Sequence, residues 1–131
     1  MSGSEVSVER IQYLATLSDD ELLQQLGGAL FEQEQGGDLA RPRTLTELVE
    51  RANAWLKDQS EDIADKVCGN AELRDLVEKH STDKTRIAIV LSDVFFTAHT
   101  GLPAATLAEI VFRSGVSRCC ATRWAATKPS S

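Results

Sequence analysis

From Leu45 to Val67, apolar side chains recur every three or four positions, at Leu45, Leu48, Val49, Ala52, Leu56, Ile63 and Val67, with polar Gln59 inside the series. That spacing lines up on one side of an α-helix and would scatter over both faces of a strand, so it predicts one long helix, opened by Thr44 or Thr46 and stopped at Gly69-Asn70. A helix with such a stripe needs other helices to cover it.

The same period recurs along the chain. Val8, Ile11 and Leu14 predict a short helix from Ser7 to about Thr16. Ser18 followed three residues later by Glu21 is a capping box, and it opens a helix carrying Leu22, Leu23, Leu26, Leu30 and Phe31. Gly27-Gly28 interrupts that helix at about 1 kcal/mol per glycine relative to alanine, which either a close helix crossing or a kink would explain. A loop is expected over residues 36–43. Asn70 caps a shorter helix with Leu73, Leu76 and Val77.

The run Arg86-Ile-Ala-Ile-Val-Leu91 could be a strand, but it continues through Val94, Phe95 and Ala98 at helical spacing. With no second strand to pair its backbone groups, helix is the expectation. Thr100-Gly101 closes that helix, and Pro103 suits the first position of the next. The fold class is therefore all-α: a compact bundle of six or seven helices forming a single domain over 7–126. Residues 1–6 and 127–131 are expected to be disordered ends.

A chain of 131 residues can bury one ordinary core. Its net charge of -6 is unevenly placed, because every acidic residue precedes Ile110, whereas Arg113, Arg118, Arg123 and Lys128 follow it. Such a tail could attract an anionic partner or dock on the acidic body of the same chain. The overall acidity weakens non-specific attachment to nucleic acid. No signal-peptide pattern or bilayer-length apolar run is visible, and a cytoplasmic location is expected. Three cysteines, two of them adjacent, do not suggest a disulfide framework, so reduced thiols are the expectation.

Two short helical patterns hinge on Ser114-Gly115-Val116-Ser117. Gly115 permits a left-handed turn, Val116 can plug the space between the helices, and Ser117 can cap the second. In Thr106-Leu107, Gly115-Val116-Ser117 and Arg123, residues 106–124 resemble the helix-turn-helix of bacterial repressors of the lac-repressor type. The resemblance implies that Ser117, Arg118, Cys119 and Thr122 face a major groove while Arg123 meets the phosphate backbone, with Lys128 adding charge nearby. Val111, Phe112, Ser114 and Ala121 depart from that family's pattern.

Chemistry-bearing groups are sparse. Asp93 and His99 lie on different faces of a helix, and His80 is near only Asp83. Cys119-Cys120 lacks the separation of a usual zinc ligand pair and has no spaced histidine. No catalytic, metal or cofactor set is expected. The expected function is non-enzymatic protein–protein contact, as a small adaptor, regulator or effector-associated module of a cytoplasmic prokaryotic-type system, through Trp55, Phe112 or Trp124, or through self-association; Trp55 and Trp124 read first as core anchors and second as interface hot spots. The alternatives are a helix-turn-helix regulator and an acidic helical inhibitor.

Overall fold

The computed structural model describes residues 8–34, 44–98 and 101–126. The expected loop over 36–43, the two chain ends, His99 and Lys128 lie outside these residues. Eight α-helices and no strands occupy the described chain: α1 (Val8–Ala15), α2 (Asp19–Glu34), α3 (Leu45–Asp58), α4 (Ser60–Cys68), α5 (Ala71–Lys79), α6 (Lys84–Ala98), α7 (Ala104–Ser114) and α8 (Val116–Ala126).

The caps form as the side-chain chemistry dictates. Glu21 N–H donates to Ser18 Oγ at 3.1 Å and Ser18 N–H to Glu21 Oε1 at 2.8 Å, so the box at the start of α2 is complete. Thr44 and Glu47 repeat it on α3, and Leu73 N–H donates to Asn70 Oδ1 at the start of α5. Residues 86–91 are helical and lie within α6. Pro103 stands at the N-cap of α7, one position before the expected one.

The long helix expected over the Leu45–Val67 stripe is two helices. It breaks at Gln59, whose backbone (φ -95, ψ 4) leaves the helical region. The polar residue in the stripe is thus where the chain turns, and the two halves bury different neighbours: α3 packs on α2, whereas α4 packs on α8, α5 and α6. This break raises the helix count above the six or seven expected. Leu45, assigned to the stripe, is 62% exposed, and Val8 is 43% exposed.

The α2–α3 and α6–α7 pairs make the most extensive packing. Gly27 explains the first. An added Cβ there would lie 2.0 Å from the Leu48 carbonyl oxygen, so the two backbones touch where only hydrogen fits. α2 stays one unbroken helix, and close crossing, rather than a kink, is the role of the Gly27 site. Around these pairs a continuous core gathers Leu26, Leu30, Val67, Leu73, Leu91, Phe95, Leu107, Cys120 and Trp124, among others.

Candidate functional site

Chemistry-bearing residues concentrate where α8 meets the body of the domain. α7 and α8 are joined by a single residue, Gly115, at φ 95 and ψ 104. A side chain would strain that conformation, so this corner needs glycine. Val116 is buried beneath it, as a plug between the helices should be. Ser117 does not cap α8: it is the second residue of the helix, and the first turn closes instead with Cys119 N–H donating to the Gly115 carbonyl at 3.0 Å.

Cys68 at the end of α4 and Cys120 in α8 are disulfide-bonded. This corrects the expectation of reduced thiols. The partners are 52 residues apart, and only the packing of α8 on α4 brings them together. Cys119 is a free, exposed thiol, and the three sulfurs all lie within 4.8 Å of one another.

Trp124 reinforces the same seam. It is 8% exposed, its indole N–H donates to the Cys68 carbonyl at 2.9 Å, and the Arg74 guanidinium sits 5.5 Å from its ring centroid. The structure therefore makes Trp124 a largely buried anchor of α8 that also lines an open pocket together with Cys68, Arg74 and Arg123. Trp55 and Phe112 are half-buried, each packed on the core with an edge in solvent.

Two arginines of the basic tail, Arg113 and Arg123, dock on the body of the same chain. Arg123 pairs with Asp65 and, at 3.3 Å, with Glu61, both on α4. Arg113 donates to Asp19 and Glu109, each at 2.9 Å, and to the carbonyls of Leu14 and Ala15 at the end of α1. The hydrogen bond to Asp19, then that to Glu109, holds the Arg113 guanidinium above its ordinary pKa despite partial burial. Ser117, Arg118, Cys119 and Thr122 are all exposed on α8. Arg118 makes no ion pair or hydrogen bond among the described residues.

Among the described residues, the buried polar side chains Ser92, Thr106 and Glu109 each have a structural partner. Ser92 donates to the Ala88 carbonyl, Thr106 to Gln25 Oε1, and Glu109 accepts from Arg113. His80 is exposed at the C-cap of α5, with its backbone N–H on the Leu76 carbonyl.

A pocket of about 180 Å³ is lined by Val77, Ser81, Ile87, Phe112, Gly115, Val116, Ser117 and Arg118. It is small, mostly apolar and partly open to solvent. The sequence named Phe112 and Arg118 for two different functions, and the fold places them on the same pocket. Val77 and Ile87, from α5 and α6, carried no functional signal because helical spacing marks them simply as core.

Compared with known protein families, curated proteins and solved structures, this chain matches none.

Proposed function

We propose that this protein is a non-enzymatic helical module that binds a protein partner through the Phe112–Arg118 pocket. The carrying observation is a mostly apolar recess lined by Phe112 together with the exposed Arg118, which has no ion-pair partner among the described residues. Binding hot spots favour this pairing: an apolar anchor excludes water, and a charge beside it selects orientation. The volume suits one Leu, Met or Phe side chain. A neighbouring Asp or Glu of the partner would meet Arg118.

The test is selection of peptides from a random display library on the folded protein, counter-selected against Arg118→Glu. Enrichment of an apolar residue flanked by Asp or Glu, with binding lost in Arg118→Glu, is the expected result. Failure to enrich, or peptides indifferent to Arg118, would remove the proposal.

A DNA-binding role is the second reading, favoured by the exposure of Ser117, Arg118, Cys119 and Thr122 on α8. Against it, Arg123 is engaged by Asp65 and Glu61, which also bring acidic groups beside α8. The one-residue junction is shorter than the three- to four-residue turn usual in the motif. Titration of a mixed-sequence duplex at low and moderate salt separates the two. Salt-sensitive binding lost in Arg118→Ala/Arg123→Ala would favour DNA.

A further inference from the structure

We propose that Cys68, Cys119 and Cys120 form a three-thiolate site for a soft monovalent cation, Cu(I), when the Cys68–Cys120 disulfide is reduced. The adjacent cysteines cannot make such a site by themselves. The third ligand comes from α4, and the fold brings all three sulfurs within 4.8 Å of one another.

The geometry is close to what a metal requires. With metal–sulfur bonds of about 2.3 Å, a trigonal site places its sulfurs about 4.0 Å apart. The Cys119 sulfur lies within 4.8 Å of the other two. Cys68 and Cys120 separate once their bond opens, and side-chain torsions can carry them to ligand positions.

The donor set selects the ion. Thiolates favour Cu(I) and zinc over hard cations, and among the described residues no fourth His, Cys, Asp or Glu joins the cluster. Three ligands suffice for Cu(I), whereas a tetrahedral zinc would have to take solvent in its fourth position. Access is also present: Cys119 is exposed, and Cys68 lines an open pocket together with Arg74 and Arg123.

The chemistry balances without an unnamed reactant. A phosphine reductant and water convert the disulfide to two thiols and become the phosphine oxide. Cu(I) then displaces the thiol protons, three per ion if all three thiols are protonated beforehand. Oxidation to the disulfide removes two of the three ligands, so the oxidised protein and the metal-bound protein exclude each other.

The experiment is an anaerobic titration of the phosphine-reduced protein with Cu(I) against a coloured Cu(I) chelator. It is run for the wild type, Cys119→Ser and the oxidised wild type, with circular dichroism recorded throughout. One tightly held ion per chain is expected in the reduced wild type, with none at the site in the oxidised protein. Because losing even an outer partner of a metal ligand costs about 10–100-fold in affinity, Cys119→Ser should bind at least about tenfold more weakly. Cys119 is exposed, so this variant retains the fold. The proposal is overturned by no stoichiometric uptake in reduced wild type, or by equal affinity in Cys119→Ser. Loss of helical signal on reduction that Cu(I) does not restore overturns it equally.

Discussion

The indole N–H of Trp124 donates to the backbone carbonyl of Cys68 at 2.9 Å, directly beside the Cys68–Cys120 disulfide. A hydrogen bond and a covalent bond thus join α8 to the end of α4 within one helical turn. Replacing Trp124 with Phe should keep most of the packing and cost about 1–2 kcal/mol for the lost bond, whereas Trp124→Ala should cost about 3–5 kcal/mol. Urea unfolding of both variants, with the disulfide intact, checks the ordering.

The disulfide closes a loop between residues 52 positions apart. Constraining the unfolded chain over that distance should contribute about 3–4 kcal/mol, so Cys68→Ser/Cys120→Ser should lower stability by that order while leaving the helical spectrum recognisable. Guanidinium titration of variant and wild type measures it. An unchanged midpoint would mean that the cross-link does not constrain the native protein in solution.

Adjacent glycines in α2 should respond with opposite signs. Gly27→Ala drives a Cβ into the Leu48 carbonyl at 2.0 Å and must push α2 away from α3, with a cost of about 2–4 kcal/mol. At Gly28 nothing lies within 4 Å of an added Cβ, and alanine should stabilise by about 0.5–1 kcal/mol through helix propensity. Thermal melts of the two single variants decide it.

Arg113 joins α1, α2 and α7 through Asp19, Glu109 and the Leu14 and Ala15 carbonyls. Arg113→Met keeps much of the volume but leaves Glu109, 7% exposed, without its cation, at a cost of about 2–4 kcal/mol. Its folded pKa is raised, so the stability it contributes is complete below the unfolded value and is lost only as pH rises through the folded one. The penalty should therefore hold steady from neutral into moderately alkaline solution, as denaturant titrations at several pH values would show.

Local chemistry was legible in the sequence. The Ser18–Glu21 box, the Thr44 and Asn70 caps, the turn at Gly115 and the helicity of 86–91 all follow from neighbouring residues and came out as expected. What depends on distant partners did not. Helical spacing continues through Gln59, and nothing local says that the two halves of the stripe pack on different helices. Nor can spacing reveal that Cys68 meets Cys120. The basic tail was legible as a charge asymmetry. Only the fold shows Arg113 and Arg123 directed at Asp19, Glu61 and Asp65, with Arg118 unengaged among the described residues.

The most direct measurement is amide chemical-shift mapping of the selected peptide on the isotope-labelled protein. The account predicts perturbations concentrated at Val77, Ser81, Ile87, Phe112, Val116 and Arg118, and their disappearance in Arg118→Glu. Shifts confined to another surface would contradict it, as would a response from this face to duplex DNA and none to peptide.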